Sequence, residues 1–194
     1  AVKATKRRKV VAVGRWDQPQ KDAPLLARTL RRFLARTKGV EVVVIGRGGD
    51  EWFGDLACQY EDFLYVGVLP HHEVAEHFTT AQVCIFTSRW EGAPVSGSEA
   101  LVAGCTIVGP ALPGLQSICV AGEFGTIARR RRAVELAKAL EDELTAWAGG
   151  ARDAVRIAQF WRERVTPAPV VDLYLGLRDR ESMATAQSAG DVRT

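Results

Sequence analysis

Residues 9–46 read KVVAVGRWDQPQKDAPLLARTLRRFLARTKGVEVVVIG, and this stretch decides the fold. It opens on KVVAVG (9–14), a short apolar run rich in β-branched residues, which predicts a buried strand. Residues 24–37 then carry Leu25, Leu26, Leu30, Phe33 and Leu34 on one face, the 3.6-residue period of a helix. VEVVVIG (40–46) is a second buried strand. Further along, strands are predicted at 63–69 (FLYVGVL), 82–87 (QVCIFT), 105–108 and 124–127, with helices near 51–61, 72–80, 95–103, 132–148, 151–164 and 170–178. Alternating strands and helices with short links predict a parallel sheet of about six strands covered by helices on both faces. Right-handed crossovers make that an α/β, doubly wound, Rossmann-like domain, whose ligands bind beyond the carboxyl ends of the strands. No internal repeat is present.

Composition narrows the class. The chain has 194 residues, 47% hydrophobic and 25% charged, which fits one globular domain with its own core. A net charge of +3 is too small to imply nucleic acid. No apolar run reaches the ~20 residues of a membrane span, and the polar, basic start does not read as a secretory leader. The chain opens on Ala1 without a methionine, which fits an excised or processed piece. Cys58, Cys84, Cys105 and Cys119 have no close spacing, so they are expected as reduced core thiols in a cytoplasmic protein.

Three segments after strands carry the chemistry. After the first come Gly14 and Arg15, with Lys21 six residues beyond Arg15. A guanidinium fork and a point charge there can converge on an anion, although a solvated pair at a helix start is the simpler reading of the spacing alone. After the second strand comes GRGGD (46–50), in which Gly48 allows close backbone approach. It lacks the third glycine of a dinucleotide fingerprint and follows the wrong strand for one. After the fourth strand comes SRWEGAPVSGSEA (88–100). Pro94 suits the first turn of a helix, Gly92 opens the backbone, and the first-turn amides attract an anion. Glu91 then lies before the helix and Glu99 inside it. Neither can bind a phosphate, so both face hydroxyls or are surface carboxylates. His71, His72 and His77 are expected as a polar helix start and not a metal site. The run 129–132 (RRRR) is expected as a solvated approach to a helix.

In order, Gly14-Arg15 with Lys21, Gly46-x-Gly48, Val66-Gly67-x-Leu69, Ser88 with Glu91-Gly92-x-Pro94 and Glu99-Ala100, and Ala103-Gly104 resemble the C-terminal domain of family 4 retaining glycosyltransferases of the GT-B fold. The resemblance covers roughly 10–125, and 159–174 is similar to the closing segment that crosses back to the N-terminal domain. It implies a hexosyltransferase of bacterial type using a UDP-, GDP- or ADP-linked sugar. It implies Arg15 and Lys21 on the diphosphate, catalytic together with Glu91, with Gly14 and Gly48 against the donor and Glu99 on the ribose. It places Glu91 with Gly92, Ala93, Pro94 and Val95 at the sugar and phosphates, with Val68 and Leu69 flanking the base. No metal or other cofactor is implied. Ala93, Gly97, Ser98 and the pair Gln116 and Ser117 depart from the family pattern.

The resemblance implies an acceptor-binding N-terminal half outside this chain, inactivity of the isolated piece, and residence at the inner face of a membrane in the whole protein. An apolar face partly built by Phe160, Trp161 and 170–177 is expected to be exposed and to favour self-association. The expected division is a basic linker at 1–9, the nucleotide-sugar domain at 10–165, a crossover helix at 166–181 and a disordered tail at 182–194. Two rivals share the fold: a nucleotide-sugar epimerase, and a non-catalytic nucleotide-binding module.

Overall fold

A computed structural model describes residues 6–165. The elements are β1 (Arg7–Val13), α1 (Ala23–Leu34), β2 (Glu41–Ile45), α2 (Asp50–Gln59), β3 (Phe63–Tyr65), α3 (His71–Thr80), β4 (Ala81–Ile85), α4 (Val95–Val102), β5 (Thr106–Pro110), α5 (Pro113–Cys119), β6 (Gly125–Ala128), α6 (Ala133–Ala148) and α7 (Ala154–Val165). The six strands form one parallel sheet in the order β3-β2-β1-β4-β5-β6. The order reverses between β1 and β4, so the crevice beyond their carboxyl ends is the expected ligand position.

The strands show the two-residue period of a sheet buried on both faces. Val10, Ala12, Val42, Val44, Val83 and Ile85 face a layer made by α1, α2 and α6. Val11, Val43, Ile45, Cys84 and Ile107 face the opposite layer of α3, α4, α5 and α7. Each fully buried large side chain, such as Phe33, Phe53, Leu101 or Leu115, contributes about 1.5–3 kcal/mol of apolar burial. These two layers hold the strand ends in place.

Several expectations are corrected. The basic segment 1–9 is not a solvated linker throughout, because Arg7, Arg8 and Lys9 belong to β1 and both Lys6 and Lys9 are buried. Lys6 Nζ donates to the carbonyls of Phe78, Thr79 and Ala103 at 2.8, 3.0 and 2.6 Å, tying down the ends of α3 and α4. Its pKa is lowered, chiefly by burial. Lys9 pairs with Glu41 on the neighbouring strand at 2.9 Å. The third strand is shorter than expected: it stops at Tyr65 and the chain turns at Gly67, whose φ is 67°. Helix α5 was not expected from the sequence.

Trp161 is buried and Phe160 half-buried, so they do not form an exposed apolar face. Both pack on Phe124, at 5.8 and 4.5 Å between ring centroids. Gly104 explains the fit of their helix: at φ 85°, a Cβ there would lie 2.5 Å from the Ala154 carbonyl, where α7 begins. The segment 170–177, the crossover segment 166–181 and the tail 182–194 lie outside the described residues. Three thiols are in the core as expected, but Cys58 is exposed on α2. Among the described residues no helix is long and apolar enough to cross a membrane.

Candidate functional site

At the end of β1 the chain leans over β2. Gly14 N donates to Ile45 O at 3.0 Å, Trp16 N to Arg47 O at 2.9 Å and Trp16 Nε1 to Ile45 O at 3.0 Å. Trp16 is buried edge-on against Phe53. These bonds force two loops together, which explains the glycines of 46–50. A Cβ on Gly46 would lie 1.7 Å from Gly14 O, and one on Gly48 would lie 2.6 Å from Asp17 Cβ. Gly46 and Gly48 therefore serve loop-to-loop packing, and Tyr65 steadies it by donating to Gly46 O and accepting from Gly49 N, both at 2.9 Å.

Arg15 and Lys21 go to different partners. The Arg15 side chain is 58% exposed, with Nη2 3.6 Å from Asp17 Oδ2, an oxygen that Arg47 Nε also approaches at 3.3 Å. Lys21 is 19% exposed, and its Nζ lies 2.7 Å from Glu91 Oε1. Glu91 is 6% exposed and accepts a second bond on the same oxygen from Ser88 Oγ at 2.6 Å. Glu91 is thus no surface carboxylate: it is paired to the cation that follows β1.

A row of bonds joins the loop after β1 to the loop after β4. Thr87 Oγ1 donates to Lys21 O at 2.8 Å, Arg89 N to Gln20 O at 2.8 Å, Arg89 Nε to Pro19 O at 3.1 Å, and Gln20 Nε2 to Trp90 O at 2.9 Å. Such a lattice fixes the two backbones that carry Lys21 and Glu91.

Beyond Glu91, the backbone at Gly92 is open, with nothing within 4 Å of an added Cβ. Ala93 and Val95 are exposed. Pro94 is not in the first helical turn as expected but flanks it: α4 starts at Val95, and Gly97 N and Ser98 N both donate to Pro94 O. No side chain caps this end, so its leading amides and dipole face the crevice side of the sheet. Gly97 departs from the family pattern for a visible reason, since a Cβ there would lie 2.7 Å from Ile118 Cδ1 of α5. Gly114 does the same on the other side, where a Cβ would come 2.4 Å from Gly92 O. Helix α5 therefore abuts the Glu91-Gly92 backbone. Gln116 and Ser117 are exposed on its outer face.

Glu99 sits on α4, one-third exposed, with His71 Nε2 3.5 Å from its Oε1. The two residues line a cavity of about 410 Å³ between α3, α4 and α7 whose walls include Val74, Phe78, Val102 and Arg162. Val68, exposed, and Leu69, half-buried, lie just before α3. The structure therefore puts Glu91 and Glu99 in different surroundings, one on Lys21 and one beside His71. His71 and His72 open α3 as expected, but His77 lies in its last turn, with a pKa lowered by burial first and by Lys9 second.

Sequence reasoning missed Asp22, Asp17 and the pairing of Arg131, and it gave Ser88, which opens the Glu91 motif, no role of its own. Asp22 was legible as a helix N-cap, because Asp followed two residues later by Pro24 is a helix-start signal. It accepts from Leu25 N at 3.2 Å, is buried, and pairs with Arg131 and Arg89. The run 129–132 is thus not wholly a solvated approach: Arg131 is bound to the loop after β1. Asp17 gives no spacing signal.

Fold and site together define a Rossmann-like α/β domain with a cation–carboxylate pair at its switch point. The chain belongs to the glycosyl transferases group 1 family, whose family model matches residues 7–146. It is 28% identical over 125 residues to the phosphatidyl-myo-inositol mannosyltransferase of Mycolicibacterium smegmatis, covering 62% of this chain and 32% of that protein. In fold it is similar to sucrose-phosphate synthase from Thermosynechococcus elongatus, with TM-score 0.71 at 22% identity, over 95% of this chain and 47% of that one. It is also similar to a TarM variant of S. aureus in complex with fondaparinux, alpha-GlcNAc-glycerol and UDP, with TM-score 0.77 at 14% identity, over 91% of this chain and 37% of that one. The chain spans about a third of the mannosyltransferase's length and under half of either solved structure.

Proposed function

We propose that this chain is the donor-binding half of a retaining glycosyltransferase that moves a hexose from a nucleotide sugar to an acceptor held by a second half. The observation that carries the reading is the Lys21–Glu91 pair, fixed by the two stitched loops beside the uncapped start of α4. In this reading Lys21, Arg15, the backbone amides of Gly92 and Ala93 and the first amides of α4 from Val95 receive the diphosphate, with Pro94 setting the turn between them. Glu99 takes the ribose hydroxyls, and Val68 and Leu69 lie at the base. As donor binds, Lys21 exchanges the Glu91 carboxylate for a phosphate oxygen, and Glu91 is released toward the sugar hydroxyls. Transfer breaks the bond from the anomeric carbon to the diphosphate oxygen, whose electron pair stays on the diphosphate, while an acceptor hydroxyl oxygen bonds to that carbon from the same face and passes its proton to the departing diphosphate. Lys21, Arg15 and the helix dipole stabilise that charge, so no metal is needed. Cytoplasmic residence belongs to the same reading and is supported by four unpaired cysteines.

Calorimetric titration with UDP, GDP and ADP, each with and without chelator, tests this. One of the three should bind, equally well with chelator present. Binding of none, or binding that vanishes with chelator, would sink the metal-free donor site.

A further inference from the structure

Asp22 is built into the molecule more tightly than a helix cap requires. Its backbone is left-handed, φ 49° and ψ 59°, a conformation shared among non-glycine described residues only with Val120. Its side chain is 5% exposed. Oδ1 accepts from Leu25 N, while Oδ2 takes Nη1 of Arg131 and, at 3.4 Å, Nη2 of Arg89. Arg131 comes from the segment between β6 and α6, and Arg89 from the loop after β4. One carboxylate thus gathers three parts of the chain on the residue directly after Lys21. Aspartate visits the left-handed region more readily than most side chains, yet a non-glycine residue stays there only when its surroundings hold it. The charge-assisted bond to Arg131 and the ion pair with Arg89 supply that hold.

We propose that Asp22 is a positioning residue, which with Arg89 and Arg131 locks the turn that aims Lys21 at the carboxyl ends of β1 and β4. The proposal rests on the donor reading for what Lys21 does, but the positioning itself does not need a donor. Lys21 has its carbonyl fixed by Thr87 on one side and its neighbour fixed by two arginines on the other. With both anchors in place, its long side chain reaches Glu91 from a set root. With the carboxylate clamp gone, the root loosens and the ammonium leaves its partner. A cap that only stabilised α1 would not act on Lys21.

Asp22→Asn keeps the cap and tolerates the left-handed turn but removes the charge. Arg131→Gln removes the same pairing from the other end and serves if the first variant folds poorly. The first measurement is the rate of lysine acetylation in the free protein, read by mass spectrometry, with exposed Lys38 as internal standard. Lys21 should label about threefold to tenfold faster in either variant while Lys38 is unchanged, as expected for a weakened charge-assisted bond. The second is titration of uridine, guanosine and adenosine against their diphosphates. The binding diphosphate should lose about tenfold, the nucleoside under about twofold. In a Lys21→Met background, Asp22→Asn should add nothing. Unchanged Lys21 labelling, equal loss of nucleoside and diphosphate, or additive effects would overturn the proposal. If the unaltered protein binds no diphosphate, the donor reading fails, and Lys21 labelling still decides the role of Asp22.

Discussion

Lys21 Nζ lies 2.7 Å from Glu91 Oε1, joining the loop after β1 to the loop after β4. In this state the cation proposed to receive a phosphate is already neutralised, and binding must exchange one oxyanion for another. Glu91→Gln keeps the shape and the Ser88 bond but frees Lys21. Affinity for the nucleoside diphosphate should therefore rise, by up to about tenfold, while affinity for the intact nucleotide sugar should not follow. Titrating the variant with both ligands checks this. A fall for the bare diphosphate would mean that Glu91 acts only by holding Lys21 in place.

Arg15 and Glu99 are in different surroundings and should fail differently. Arg15 is exposed at the rim with Asp17, and Glu99 sits on α4 beside His71. Arg15→Ala should cost the diphosphate about 1.5 kcal/mol, the low end for a bond to a charged group because the side chain is exposed and screened, and should leave the nucleoside unaffected. Glu99→Ala should weaken nucleoside and diphosphate by similar factors. The check is calorimetry of each variant with both ligands at low and high salt. Only the Arg15-dependent part should shrink with salt.

Much of this was legible in the sequence, for physical reasons. The apolar, β-branched runs at 9–14 and 40–46 read as buried strands, and the leucine face of 24–37 packs on them as its period predicts. Glu91 and Glu99 fell on opposite sides of a helix start because Pro94 and Gly92 fix where that helix begins. What was not legible depended on tertiary pairing. Lys6 and Lys9 read as solvated because nothing local reveals that three carbonyls and Glu41 await them. The Arg131 contact to Asp22 spans 109 residues, beyond any spacing rule. Phe160 and Trp161 read as a bare apolar face because their partner, Phe124, precedes them by a whole helix.

Thiol chemistry offers a test of the fold itself. Cys84, Cys105 and Cys119 are buried, and burial pushes Cys105 and Cys119 up to about 12 and Cys84 well above its usual value. A thiol held protonated is a poor nucleophile. Iodoacetamide at pH 8 should therefore alkylate Cys58 alone in the native protein and all four cysteines after denaturation. Peptide mapping reads the result. Fast native labelling of Cys105 would contradict the packing of α3 against α4 and β4.

The last prediction concerns Glu143 and Arg152, which close the far edge of the sheet. Glu143 is fully buried on α6, where its Oε2 accepts from Thr126 Oγ1 of β6 at 2.6 Å. Arg152 meets both carboxylate oxygens, at 2.8 and 3.0 Å, and also donates to the carbonyls of Gly122 and Glu123. One guanidinium thus joins β6, α6 and the approach to α7. Removing it strands a charge where water does not reach. Arg152→Met should cost about 3–5 kcal/mol of stability, the range for breaking a buried pair from one side. A double variant, Glu143→Met with Arg152→Met, should recover most of that loss, because an apolar pair leaves no orphaned charge. Urea denaturation of the three proteins measures it. Nucleotide binding by the double variant should stay near that of the unaltered protein, since the pair lies at the β6 edge and Lys21, Glu91 and Glu99 belong to loops and helices at the switch point. If the double variant is as unstable as the single one, the fork's bonds to the Gly122 and Glu123 carbonyls, and not the ion pair, hold this edge.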